Sequence, residues 1–246
     1  MIDSYTEVFG NKNKIMVVMA HPDDAEVFAG GTIARLIKDK KQVCVVKVTN
    51  GSKGSRDNNI SASELVEIRK REDNESMKVL GVDLSNSIHL GFEDGYVEDS
   101  IETIGAISKI IRKFKPDIII THNPQDMIIN HSGGDHWVNH RDHRNTGKSA
   151  TDAAYPYSRD LLFFPEQFSE EGIGYHKVCE FLFADYYLGE DIVEIDITEF
   201  KELKETALTQ HKSQFSEEKA KNMVEFMTTR DNTDRKFECF KYVVAD

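Results

Sequence analysis

The stretch Lys14–Arg35, KIMVVMAHPDDAEVFAGGTIAR, decides the fold. Its first part, Ile15-Met16-Val17-Val18-Met19-Ala20, is an unbroken apolar run rich in β-branched residues. Such a run reads as a strand buried on both faces, as in a parallel sheet. It stops at His21-Pro22-Asp23-Asp24. Pro22 fixes φ and keeps helix from starting there. Gly30-Gly31 lets backbone pass closely, and Ile33, Leu36 and Ile37 mark the inner face of a following helix. Ligands of parallel sheets bind beyond the strand C-termini. His21, Asp23 and Asp24 are therefore expected at a site.

The same alternation continues down the chain. Gln42–Thr49 is a second strand, ended by the turn Asn50-Gly51-Ser52. Ser61 opens a helix with Glu64 placed for a capping box, and Gly81 closes it. The face of that helix begins with Leu65 and Ile68 and ends with Val79 and Leu80. Between them it runs through Arg69, Glu72 and Ser76. Either Arg69 and Glu72 form an exposed pair, or Arg69 points into the site with Glu72 holding it. Residues 86–91 read as a short strand and FEDGYVED as a loop. Ser100 starts a helix with face Ile104, Ile107, Ile111 and Phe114, and Asp117–Thr121 is another buried strand. Strand and helix in alternation imply a mostly parallel sheet in a three-layer, Rossmann-like α/β fold, with residues 1–246 as one domain. Further on, a helix starts near Asp142 or His143 with the small face Gly147, Ala150, Thr151 and Ala154. Residues 178–185 and 191–197 are strands, and 216–229 is a last amphipathic helix.

Composition narrows the function. The net charge of −12 in 246 residues opposes general nucleic-acid binding, although it leaves room for a local cationic pocket. No apolar run approaches the ~18 residues of a membrane span. No secretory signal is visible at the N-terminus, so the expected location is the cytoplasm. Cys44, Cys179 and Cys239 are widely spaced, which suits reduced thiols and disfavours a cysteine metal cage.

Two clusters carry chemistry: His21-x-Asp23-Asp24 and His140-x-Asp142-His143, each following a buried strand. His21 and Asp24 suit two positions of a tetrahedral metal, with one histidine of the second cluster as the third and water at the fourth. Three N/O ligands and an open position describe a catalytic zinc centre. Asp23 is then free to take a proton from water, the remaining histidine to stabilise an oxyanion, and Asp142 to hold that imidazole. Together they read as amide hydrolysis. Taken alone, either cluster is equally a helix cap or a turn. His131 and His136 are explained by loop polarity, His89 and His122 by packing at strand ends, and His211 as a satisfied core histidine.

At these residues the chain resembles the LmbE-like, or PIG-L, zinc-dependent de-N-acetylases. The resemblance rests on Ala20–Asp24 (AHPDD), Gly30-Gly31-Thr32, Glu67–Glu72 with Leu80–Val82, His140–His143, and Ala207–Gln214 (ALTQHKSQ). It implies His21, Asp24 and His143 as metal ligands and Asp23 as general base. It implies His140, tuned by Asp142, as the residue assisting the intermediate, and Arg69 as a sugar contact. The implied cofactor is Zn2+, with iron, cobalt or manganese as other ions a His₂Asp set accepts. The implied substrate is an N-acetyl amino sugar or its conjugate, with no nucleic-acid or membrane partner; a homo-oligomer is compatible. An amidase for thiol-sugar conjugates and a non-catalytic sugar binder are the alternatives. Two departures are visible: the acid of AHPDDE is shifted to Glu26, and Arg141 replaces the proline of HPDH. The segment Met127–Asn139 is longer than in compact members and is expected to shape the substrate mouth. No GxGxxG follows the first strand, so no nicotinamide cofactor is indicated.

Overall fold

A computed structural model describes residues 2–131 and 133–245. Helix α1 (Tyr5–Phe9) leads into β1 (Lys14–Met19), α2 (Asp24–Lys38), β2 (Gln42–Thr49), α3 (Ala62–Leu80), β3 (Ser87–Phe92), α4 (Ile101–Phe114) and β4 (Ile118–Thr121). A hairpin of β5 (Ile128–Asn130) and β6 (His136–Val138) follows, then α5 (Arg141–Asp152), β7 (Glu180–Phe183), β8 (Ile192–Asp196), α6 (Lys201–Leu208), α7 (Glu217–Thr228) and β9 (Phe237–Val244).

Seven strands form one sheet in the order β3-β2-β1-β4-β7-β9-β8. The pairs β3–β2, β2–β1, β1–β4 and β4–β7 are parallel, whereas β9 runs antiparallel to both β7 and β8. Helices cover both faces over two apolar layers. One contains Ile15, Val17, Ile33 and Leu36; the other contains Met16, Val18, Ile107 and Ile119. Consecutive residues of β1 thus feed opposite layers, which is why that strand is apolar at every position.

The expected elements are present with small shifts at their ends. Ser61 and Glu64 form the capping box of α3, and Gly81 closes it at φ +80°. The Gly30-Gly31 pair packs as anticipated: a Cβ on Gly31 would lie 2.6 Å from the Cβ of Ile197. On α5, a Cβ on Gly147 would lie 2.4 Å from the carbonyl oxygen of His122, so that small face is a close contact with the end of β4. Three things depart from expectation. Residues 237–244 supply an interior strand, β9, next to the β8 edge, that the sequence reading leaves unassigned. The segment after β4 contains the β5–β6 hairpin. The aromatic-rich segment 157–168 after α5, with no element expected in it, is organised by Arg112, fully buried on α4, whose guanidinium donates to the carbonyls of Tyr157, Ser158, Asp160, Phe163 and Phe164.

Among the described residues, no helix is long and apolar enough to cross a membrane.

Candidate metal and hydrolytic site

Chain order runs β1, β2, β3 toward one edge of the sheet, then returns to β4 on the other side of β1. The crevice between β1 and β4 is therefore the switch point, where the connections leave in opposite directions and a cleft opens. The acidic and imidazole groups that meet there leave the C-terminal ends of parallel strands or the start of α5, which follows the β5–β6 hairpin, and Arg69 reaches in from α3. His21 and Asp23 follow β1, Gly51 follows β2, Asp94 follows β3 and His122 follows β4. Asp185 follows β7, and His140 caps α5.

Asp24 is the centre of the cluster. Its Oδ2 lies 3.1 Å from His21 Nδ1 and 3.3 Å from His122 Nε2, and its Oδ1 lies 3.3 Å from His143 Nε2. The rings of His122 and His143 stack at 4.0 Å, 6° from parallel. Ligand atoms of Asp24, His122 and His143 fall within 4.8 Å of one another, as do those of His21, His140 and His143. The two predicted sequence clusters thus meet, and His143 belongs to both groups. Burial opposes a charge on Asp24, but the His143 and His21 imidazoles outweigh it and hold this carboxyl well below the ordinary range. His122, assigned above to strand-end packing, is instead part of the site. It takes the Ala20 N–H at Nε2, and its Nδ1 is buried without a partner. Burial, then the neighbouring His143, pushes its pKa down to about 3, so the ring is neutral.

Asp23 faces away from that cluster. As the residue before α2 it adopts φ +116°, ψ −27°, a conformation rare for a side-chain-bearing residue and one that costs about 1–3 kcal/mol. The twist sends the two adjacent carboxylates in different directions. Asp23 Oδ2 accepts from Arg69 Nη2 at 3.0 Å. Burial raises the Asp23 carboxyl to about 6 against the pull of Arg69, with the Asp24 charge adding to the rise. Arg69 itself is 3% exposed and also donates to the carbonyls of Pro22 and Gly51. Gly51, at φ +66°, brings its loop so close that a Cβ would stand 2.7 Å from Arg69 Nη1. The inward reading of Arg69 holds. Its expected partner does not: Glu72 accepts from the Ser213 amide and hydroxyl instead.

Asp142 requires a second correction. Its carboxylate was expected on His140; it faces His21 Nε2 at 3.3 Å and accepts from the amides of Gly95 and Val97. Asp142, fully buried in the first turn of α5, turns its carboxylate toward β1, and its backbone amide is what reaches His140, donating to Nδ1 at 3.2 Å. A neutral His140 therefore carries its proton on Nε2. Partial burial, then His21 and His143, lowers the His140 pKa and keeps the ring neutral. Asp94 also flanks His21 Nε2, at 3.2 Å. Burial alone would lower the pKa of His21, but Asp24, Asp142 and Asp94 together raise it well above the ordinary value.

A cavity of about 300 Å³ opens over these groups, bordered by His21, Asp23, Arg69, Asp94, His140 and Gln214. A family model described as GlcNAc-PI de-N-acetylase (PIG-L) matches residues 16–154, more than half of the chain. The chain belongs to the PIG-L family. The match runs from β1 to the end of α5 and so contains both clusters. A diacetylchitobiose deacetylase of Thermococcus kodakarensis is 30% identical over 219 residues, covering 86% of this chain and 74% of that protein. A probable N-acetyl-alpha-D-glucosaminyl L-malate deacetylase of Bacillus cereus is 30% identical over 205 residues, 81% of this chain and 83% of the relative. Among solved structures, N,N'-diacetylchitobiose deacetylase from Pyrococcus horikoshii, complexed with its inhibitor MPG, aligns with a TM-score of 0.81 at 27% identity. The alignment covers 96% of this chain and 85% of that one.

Several PIG-L site groups here lie outside the motifs read from the sequence. Asp94 sits in FEDGYVED, where only its place after a parallel strand signalled it. Asp185 follows β7 at φ +62°, 4% exposed, with Oδ2 unpartnered; burial raises its carboxyl to about 7. Glu26, the shifted acid, is fully buried against Ser76 and lies 3.0 Å from His211 Nε2; His211 sits in the core as expected, but it is paired on that nitrogen alone, its Nδ1 being buried without a partner. His131 is no loop-surface residue. It is buried in an aromatic group, its ring 4.7 Å from those of Phe226 and Tyr187.

Proposed function

We propose that this PIG-L protein is a metal-dependent hydrolase that removes the acetyl group from an N-acetylated amino sugar. The observation that carries the reading is the divergence of two consecutive carboxylates. Asp24 is enclosed by three imidazoles, while Asp23 faces the cavity beside Arg69. The donor set fits a divalent cation. It is made of imidazole nitrogen and carboxylate oxygen, and it gathers on a carboxylate that holds its charge although buried. His21, Asp24 and His143 would hold the ion, with His122 beside them, and zinc suits such N/O ligands. When bound, the ion would polarise the acetyl carbonyl and acidify water.

The chain's own groups supply the rest. Asp23, lifted toward neutrality by burial, takes a proton from the water that attacks the acetyl carbon. It returns that proton to the sugar nitrogen as the C–N bond breaks, giving acetate and the free amine. His140 offers its Nε2–H to the developing oxyanion. Arg69 fixes Asp23 through its charge and fixes the Gly51 loop through the carbonyl. Asp142 and Asp94 orient His21 from behind.

The test combines metal analysis with acetate release over a small panel of N-acetyl sugars, including diacetylchitobiose and a thiol-sugar amide. Metal-dependent release of acetate from the acetamido sugars is the expected result. Cleavage of the thiol-sugar amide alone would move the protein to the amidase reading. Sugar binding with no acetate released from any compound would overturn the hydrolase assignment.

A further inference from the structure

Beside the hydrolytic cleft lies a second cavity, of about 480 Å³, that shares Lys53, Gly54 and Gln214 with it. Gly54 sits at the junction: a Cβ there would stand 3.0 Å from Arg69 Nη1 and 3.1 Å from Gln214 Oε1. The outer cavity therefore begins where the Arg69 side of the hydrolytic cleft ends, with Lys53, Gly54 and Gln214 bordering both. The outer wall carries Lys53, Arg56 and Lys219 together with the hydroxyls of Ser55 and Ser213, and no carboxylate. That is unusual on a chain with 43 acidic and 31 basic residues, where a random patch is expected to be net negative.

The three cations are available. Arg56 has no ion-pair partner among the described residues. Among the described residues Lys219 Nζ has no ion-pair partner; it reaches the Gln214 carbonyl at 3.4 Å and lies 5.1 Å from the centre of the Phe215 ring. Lys53 pairs with Glu93 at 2.8 Å in an exposed setting, where such a bridge is worth about 0–1 kcal/mol and yields readily to a ligand. The cations come from two segments distant in sequence, the loop after β2 and the first turns of α7, which converge on one concave surface.

We infer that this cavity is an anion subsite, and that the substrate is an N-acetyl amino sugar whose aglycone carries a carboxylate or phosphate. The inference rests on the deacetylase reading for the sugar end and adds the charge of the other end. Lys53 and Arg56 contact the anion from the loop and Lys219 from α7, with Ser213 and Ser55 as hydroxyl donors.

Three compounds test it: methyl N-acetylglucosaminide, N-acetylglucosamine 1-phosphate and the glycoside of N-acetylglucosamine with malate. Acetate release is measured at low and high salt, for the metal-loaded wild type and for the double variant Arg56→Gln/Lys219→Gln. Both positions are exposed, so the variant folds. Losing two charge-assisted contacts is expected to lower the ratio of kcat/KM, anionic over neutral, by about tenfold or more. Salt should erode the wild-type ratio in the same direction. Preference for either anion supports the subsite, and the better one identifies the group. A wild type that prefers the neutral glycoside, or a ratio unchanged in the variant, overturns it. If no compound releases acetate, the deacetylase reading fails by itself. Calorimetric binding of the same three sugars then decides the subsite: equal affinity for charged and neutral sugars refutes it, and tighter anion binding that is lost in the double variant upholds it.

Discussion

Asp23 and Asp24 are neighbours in the chain with opposite surroundings, and one backbone torsion separates them. At φ +116° the chain turns Asp24 into the imidazole cluster and leaves Asp23 over the cavity. A carboxylate with a pKa near 6 is a competent base near neutral pH, whereas one held far below its ordinary value is a ligand and a poor base. Asp23→Asn keeps size and polarity but cannot take a proton. It is expected to retain bound metal while kcat falls about 10²–10⁴-fold. Metal content by mass spectrometry and turnover on one acetamido sugar are the paired measurements, and a fully active variant would remove Asp23 from the base role. At this scale the sequence was informative where chemistry is written in residue type. AHPDD and HRDH named the carboxylates and imidazoles that meet. It was uninformative where placement depends on strand order: nothing local to His122, Asp94 or Asp185 says that β4, β3 and β7 end at the same edge as β1.

Two elements are fixed by buried charge, which periodicity does not reveal. The first is α4, whose apolar face was readable from Ile104, Ile107 and Ile111. Its Arg112, which the apolar pattern does not single out, is buried and gathers five carbonyls from 157–164. Only a planar guanidinium presents enough donors in a fan to satisfy them. Arg112→Lys should cost about 3 kcal/mol, since several buried carbonyls lose their donor together. Urea unfolding measures the loss, and a cost under about 0.5 kcal/mol would show that water fills the role. The second is the contact of α2 with the segment after α6, where Glu26 meets His211. Burial would lower the His211 pKa, but Glu26 raises it to about 9. The folded-state value lies above the ordinary 6.5. The pair's contribution is therefore complete below about pH 6.5 and lost as pH rises through 9. His211→Gln should destabilise by about 3–5 kcal/mol at pH 6.5, because Glu26 is left buried and unpaired. It should also flatten the fall in stability between pH 6.5 and 9. A variant whose pH slope matches the wild type would show that other groups set it.

The whole molecule joins its two chemical clusters across the switch point, so the site ties the β1 side of the sheet to the β4 side. The parallel half of that sheet was legible because each strand is an apolar run followed by a helix face, a local signal. Strand β9 was not, because it inserts between β7 and β8 from the far end of the chain, and FECFKYVV has no following helix to complete a crossover unit. The cross-sheet connection sets a last expectation. In the metal-free protein, the segment after β1 touches α5 through the His21–Asp24–His143 contacts. A cation held by these residues binds the folded chain and not the unfolded one, which brings the ligands together only by folding. At a free concentration of 100 times its Kd it adds about 2.7 kcal/mol. For a chain of this length that corresponds to about 5–10 °C in Tm. Thermal unfolding is therefore expected to shift down by that amount when a chelator is added and to recover on returning zinc. His143→Ala should abolish both shifts while leaving the strand order, and hence the circular dichroism of the sheet, unchanged. His131→Ala, which removes a buried imidazole from the aromatic group and not from the metal cluster, should lower Tm but keep the chelator-dependent shift. A chelator shift that survives His143→Ala and vanishes in His131→Ala would relocate the ion from the switch point to the hairpin.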